Sequence, residues 1–219
     1  MSAAAPPIHP ASGATPEVDR RDLLSLVTMA GAAVGVGAVA WPFIDSMNPA
    51  KDTLAAGGPT DVDISKIEAG QQVIVMWRGN PIFIVRRSPD VLARLQDPAQ
   101  TNRLKDAQST VLQQPAYAVN WHRSIKEEFV VLVGICTHLG CVPSLYAKPN
   151  ATEPMENWPG GYFCHCHGSK YDLAGRVYNA VPAPYNLPVP PYRFVSDTTV
   201  RIGQNPPGVD FELNSVVQI

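Results

Sequence analysis

Neither sign of charge dominates this chain: 17 Lys and Arg stand against 19 Asp and Glu. The basic footprint that tracks phosphate backbones is missing, and with it any nucleic-acid signature. No internal repeat is present. Cysteine is scarce, four in 219 residues, and none is dispersed. Long helical patterns are lacking in most of the chain. Its 22 prolines, twice the usual ~5%, disfavour long helices there and favour short strands and loops. The longest stretch without charge runs from Leu23 to Ile44. The length suggests one main domain plus extras.

All four cysteines and three of the five histidines sit in two short segments. The first is Cys136-Thr137-His138-Leu139-Gly140-Cys141. The second is Cys164-His165-Cys166-His167-Gly168-Ser169. Each offers one cysteine and one histidine as metal ligands and leaves one cysteine over. Two thiolates with two imidazoles suit a mixed-ligand iron–sulfur centre, in which two histidines replace two cysteines on one iron. A zinc site with two cysteines and two histidines uses the same donors. It leaves a pair of cysteines unexplained, and its usual spacings differ. Two structural disulfides would leave the histidines unexplained. Gly140 and Gly168 let each segment turn with its backbone close to a ligand.

These segments resemble the C-T-H-x-G-C and C-x-C-H-G-S boxes of high-potential Rieske [2Fe–2S] proteins. Within that family they are most similar to the iron–sulfur subunits of ubiquinol–cytochrome c reductases. The resemblance implies one Rieske-type cluster, with Cys136 and Cys164 on the inner iron and His138 and His167 on the outer one. It implies a disulfide between Cys141 and Cys166 that joins the two loops. It also implies two donors to sulfur, Ser169 toward a bridging sulfide and Tyr171 toward the thiolate of Cys136. Val181-Pro182-Ala183-Pro184 is similar to the proline loop that covers the cluster. Two positions depart from the pattern: His165 stands where the family usually has proline, and Val181 where it often has glycine. His165 is expected on the loop surface.

Residues 1–18 read as a disordered tail, and His9 within it as incidental. Arg20-Arg21 ahead of the apolar run reads as a twin-arginine export signal, making 1–22 a cytoplasmic tail. Residues 23–45 are expected as a transmembrane helix, since at ~1.5 Å per residue the uncharged run covers a ~30 Å hydrocarbon core. Ala38-Val39-Ala40 offers a cleavage site. The run exceeds the apolar part of a removed signal, about 7–15 residues, so an uncleaved anchor is preferred. Gly31 and Gly35 offer a small-residue step for a neighbouring helix. Trp41 suits the far interface, and Pro42 is expected to end or bend the helix. Residues 46–60 are expected as a flexible hinge, with Asn48-Pro49 and Gly57-Gly58-Pro59 as breakers.

The head is expected over 61–219. Its pattern predicts a buried strand at 72–77, a turn, and a returning strand at 81–86. Ser88 is expected to cap a helix with Pro89 in its first turn. Short helices and a loop come next over 96–120, and just beyond them His122 reads as a surface histidine. A strong strand at 128–133 delivers the chain to Cys136. Residues 142–160 read as a loop; Asn150-Ala151-Thr152 in it is a formal glycosylation acceptor, left unmodified in a bacterial export context. A short strand is expected at 161–163, a hairpin around Ala174-Gly175, and a last hairpin over 192–202. Beyond Gly203 the pattern is weakly strand-like and carries no role.

The fold class that the resemblance implies is all-β. An antiparallel sheet base carries an inserted cluster-binding subdomain, residues about 131–185, and one N-terminal transmembrane helix precedes it. The implied function is that of the iron–sulfur subunit of a respiratory ubiquinol–cytochrome c reductase, an oxidoreductase. His167 would meet ubiquinol, with proton uptake coupled to the electron. Implied partners are cytochrome b and c-type cytochrome subunits in a dimeric complex. The implied location is a bacterial inner membrane, crossed once, with the head in the periplasm, where a disulfide persists. The alternative weighed is the Rieske subunit of another periplasmic oxidoreductase, such as arsenite oxidase.

Overall fold

The structure, a computed structural model, describes residues 19–48, 57–150 and 153–218. The chain divides into two compact units, Met1–Lys51 and Asp52–Ile219. The first holds helix α1, Arg20–Asp45, none of whose residues is buried. Its 26 residues extend ~39 Å at ~1.5 Å each, enough to cross the hydrocarbon of a membrane. The Ser25 and Thr28 hydroxyls donate to the Arg21 and Leu24 carbonyls one turn back. Neither hydroxyl needs water, as an apolar surrounding demands. The helix begins three residues before the expected 23, so both arginines lie in its first turn. Nor does Pro42 stop it. A proline in the last turn removes only one bond, and the Ser46 N–H still reaches the Pro42 carbonyl at 2.9 Å. The tail at 1–18 and hinge residues 49–56 lie outside the described residues.

The head is mostly β, in three three-stranded sheets. Strands β1 (Thr60–Asp63), β8 (Tyr192–Ser196) and β9 (Thr199–Ile202) form one, in the order β1-β9-β8. Strands β2 (Gln72–Trp77), β3 (Asn80–Arg86) and β4 (Phe129–Val133) form the second in chain order. Between β4 and β8 in the chain comes the third, from β5 (Ser144–Tyr146), β6 (Gly161–Phe163) and β7 (Lys170–Tyr171). All pairings are antiparallel. Helix α2, Pro89–Gln96, comes after β3. Ser88 stands at its N-cap without a capping bond to backbone; its hydroxyl donates to Asp90 instead.

Two expectations fail at sheet edges. Strand β2 is buried only at Trp77, and Ile74 and Met76 are more than half exposed. It lies at the end of its sheet, so apolar residues that read as core face solvent there. The 142–160 stretch is not a plain loop, because Ser144 pairs with Phe163 and Leu145 with Tyr162. Strand β1 carries no signal in the sequence pattern either. The end of the chain is a 3-10 turn, Leu213–Ser215, rather than a strand.

Strand β4 is buried along its whole length. Each such side chain contributes about 2 kcal/mol, so this strand anchors the loop that leaves its end. Its far edge is closed by the Val133 N–H, which donates to the Pro188 carbonyl at 2.8 Å. The core runs on from the β2-β3-β4 sheet to the β5-β6-β7 sheet through Phe83 and Tyr162, whose rings stack at 5.6 Å. Gly161 allows β6 and β7 to approach: a Cβ there would lie 2.0 Å from the Tyr171 carbonyl oxygen.

Candidate metal centre

The two cysteine–histidine segments leave β4 and β6 and turn in the same way. In the first, the Cys136 N–H donates to the Cys141 carbonyl at 2.7 Å and the Gly140 N–H to the Cys136 carbonyl at 3.0 Å. In the second, the Cys164 N–H donates to the Ser169 carbonyl at 2.8 Å and the Gly168 N–H to the Cys164 carbonyl at 2.9 Å. Gly140 and Gly168 sit at φ 80° and 78°, a left-handed conformation that a side chain strains.

These turns bring the six cysteine and histidine positions together. Cys136 and Cys164 are free thiols, each 1% exposed. His138 and His167 face each other with ring centroids 4.7 Å apart, nearly perpendicular. Cys141 and Cys166 are bonded, with Cα atoms 6.7 Å apart, and tie the loops together. Sulfurs of Cys141, Cys164 and Cys166 lie within 4.8 Å of one another, but the disulfide removes two of them as ligands. The donors that remain are Cys136, Cys164, His138 and His167.

Burial pushes the Cys164 thiol up, and the neighbouring Cys136 adds to the effect. The Nδ1 atom of His138 is buried without a hydrogen-bond partner. An unpaired buried nitrogen of this kind costs about 1–3 kcal/mol, and binding a metal ion would relieve that cost. This donor set, two thiols and two imidazoles with a nitrogen left unpaired, fits a mixed-ligand iron–sulfur cluster.

Around the donors stands a shell of hydroxyls. The Tyr171 hydroxyl lies 3.2 Å from the Cys136 sulfur and accepts from the Thr137 N–H at 3.2 Å. The Thr137 hydroxyl donates to the Tyr185 carbonyl at 2.7 Å. With that proton engaged, the Tyr171 proton is left for Cys136 or for the Thr137 oxygen, 3.2 Å away. Burial pushes the tyrosine's pKa up, so it keeps its proton. The Ser169 oxygen is fully buried and accepts from the Ala183 N–H at 3.1 Å, which leaves its own proton to give. Lys105 holds the same segment, donating to the Ala183 carbonyl at 2.9 Å. Ala180, one residue before Val181, takes the left-handed turn with φ 56°.

Sequence reasoning gave no role to Thr137 or Lys105. Thr137 stood in the first box as a spacer. Lys105 comes from a polar stretch with no periodic signal. His165 is exposed, as expected, with its ring 4.8 Å from Phe163 and its Nε2 3.3 Å from the Tyr146 hydroxyl. His122 is half-buried rather than a surface residue. Its Nδ1 meets the Ser124 hydroxyl at 2.8 Å, and burial lowers its pKa. Of the glycosylation acceptor, residues 151–152 lie outside the described residues.

Residues 94–192 match the family described as "Rieske [2Fe-2S] domain". Residues 10–50 match "Ubiquitinol-cytochrome C reductase Fe-S subunit TAT signal". Three similar proteins are each named "Ubiquinol-cytochrome c reductase iron-sulfur subunit". That of Allochromatium vinosum is 46% identical, over 85% of this chain and 89% of its own. That of Rhodospirillum rubrum is 47% identical, over 89% and 97%. That of Blastochloris viridis is 46% identical, over 88% and 97%.

Proposed function

We infer the function from one premise: this chain belongs to the family of ubiquinol–cytochrome c reductase iron–sulfur subunits. It is a component of an oxidoreductase complex, anchored to a membrane, and takes a Rieske-type [2Fe–2S] cluster. Its relatives carry this name along most of the chain, which favours the reductase over the arsenite oxidase alternative.

Cys136 and Cys164 hold one iron of that cluster; His138, through its unpartnered Nδ1, and His167 hold the other. When bound, the cluster supplies a one-electron acceptor, with a potential that imidazole ligation raises to about −150 to +300 mV. The Tyr171 hydroxyl, 3.2 Å from the Cys136 sulfur, and the Ser169 hydroxyl, whose proton is free, would each donate a hydrogen bond to sulfur at the site. Both donors spread negative charge and favour the reduced state. The disulfide Cys141–Cys166 keeps the two histidine-bearing loops in register. His167, exposed at the loop surface, meets the ubiquinol hydroxyl and takes its proton.

In this reading the subunit removes one electron from ubiquinol and hands it to a c-type cytochrome, while cytochrome b takes the other. Arg20-Arg21 marks export of the folded chain, the 23–45 segment crosses the inner membrane once, and the expected 46–60 hinge ends at 59, because Thr60 already pairs in β1. The head, 61–219, lies in the periplasm with 131–185 as its cluster-binding part, in a dimeric complex. The observation that carries the reading is the pair of buried free thiols beside an unpartnered imidazole nitrogen. The test is to purify the complex from membranes. Haem b and a c-type haem should co-purify, and the midpoint potential should fall as pH rises through the alkaline range. A complex without b and c haems would overturn the reading, and a pH-independent potential would overturn its proton-coupled step.

A further inference from the structure

Four charged side chains are buried among the described residues: Arg87, Arg123, Arg176 and Asp172. Three cations and one anion leave an excess of two positive charges inside the head. Only Arg176 meets the carboxylate, Nε to Asp172 Oδ2 at 2.7 Å. Arg87 donates to the Glu127 and His122 carbonyls and the Ser124 hydroxyl. Arg123, fully buried, donates to the Ala174, Gly175 and Leu187 carbonyls and to Gln114 Oε1, and its Nε has no partner. Asp106, half-buried nearby, has its carboxylate occupied by Thr110 and Val111.

Satisfying guanidinium groups with neutral oxygens is an expensive way to hold a loop, since the charge itself stays uncompensated. The location suggests a use. Arg123 grips the turn that begins one residue after Tyr171, and Tyr171 touches Cys136. Gly175 joins this cation to β4: a Cβ there would lie 2.9 Å from Leu132 and 3.1 Å from Arg123 Nη1. Leu132 is four residues ahead of Cys136, a span of at most ~14 Å, so the separation of the cation from the donor set is on the order of 15 Å.

We propose that Arg123, with Arg87 behind it, is a positioning residue for the electron: its buried charge favours the reduced state of the site. The proposal rests on the cluster assignment above. Gain of an electron would add one negative charge to the site. At ~15 Å and an effective dielectric of ~20, one cation favours that charge about six-fold. Burial lowers the Arg123 pKa only to about 9, so the cation persists at neutral pH. Being buried, it is screened little by salt.

The test is a redox titration of the full-length protein in its membrane complex, read by the electron paramagnetic resonance of the reduced two-iron centre. Arg123→Gln should lower the reduced-to-oxidised ratio at fixed solution potential about six-fold. Arg87→Gln, which leaves the 172–175 turn untouched, should lower it less. Asp172→Asn should raise it, because it deletes the single buried anion. General loosening of the site would move all three the same way. Opposite signs for Arg123→Gln and Asp172→Asn, retained at high salt, support the proposal. An intact signal with unmoved potentials, or shifts of one sign, overturns it alone. Absence of the two-iron signal from the unaltered protein overturns the cluster assignment and the proposal together.

Discussion

The loops Cys136–Cys141 and Cys164–Ser169 close with the same pair of backbone hydrogen bonds, each around a left-handed glycine. Their surroundings differ. Behind the first stands Tyr171 from β7, with Thr137 and the Tyr185 carbonyl ordering its hydroxyl. The second is backed by chain rather than by a ring. Its last residue, Ser169, is held by the Ala183 N–H, and Ala183 is held by Lys105. The histidines differ as well, His138 half-buried and His167 exposed. Placement of the cysteines and histidines is thus a backbone property that the two loops share. Charge acceptance and access are side-chain properties that each loop sets separately.

Ligand removal should treat the loops as equals and have the largest effect. Cys136→Ser and Cys164→Ser should each abolish the resonance of the reduced cluster; survival of either signal would break the equivalence. Next comes the tie between them. Cys166→Ser opens a bridge that spans 25 residues, and the loop-closure argument gives a loss of about 3 kcal/mol, read from denaturant midpoints. Smaller again are the donors that make the loops unlike. Tyr171→Phe and Ser169→Ala should each lower the midpoint potential by about 60 mV, the loss of one charge-assisted bond of ~1.4 kcal/mol. Equal potentials in all three proteins would erase the distinction. The smallest change is expected at His165, which is exposed and touches only Phe163 and Tyr146. His165→Pro should shift stability by less than ~0.5 kcal/mol in thermal unfolding.

The two cysteine–histidine segments were legible in the sequence because such chemistry needs particular atoms at particular spacings, and the fold brings their six positions together. The hairpins β2–β3 and β8–β9 were legible because turn residues separate β-rich runs. Strand β5 was not: three residues are too few to show alternation, and Leu145 is held there by pairing with Tyr162. The exposure of β2 was hidden for another reason. Edge position is decided by which strands pair, and the apolar run reads the same in either place. Arg123 shows the limit most plainly. Within Trp121-His122-Arg123-Ser124 nothing in the pattern marks it. Its burial is created by carbonyls at 174, 175 and 187, which only the folded chain brings near.

The close approach at Gly161 has a consequence for how this protein can fail. A methyl group there would collide with the Tyr171 carbonyl oxygen and prise β6 from β7. The hydroxyl of that tyrosine would swing away from the Cys136 sulfur it now touches. An alanine at position 161 would act as a wedge: every cysteine and histidine of the two loops would remain, yet the electron would sit less comfortably and respiration would slow.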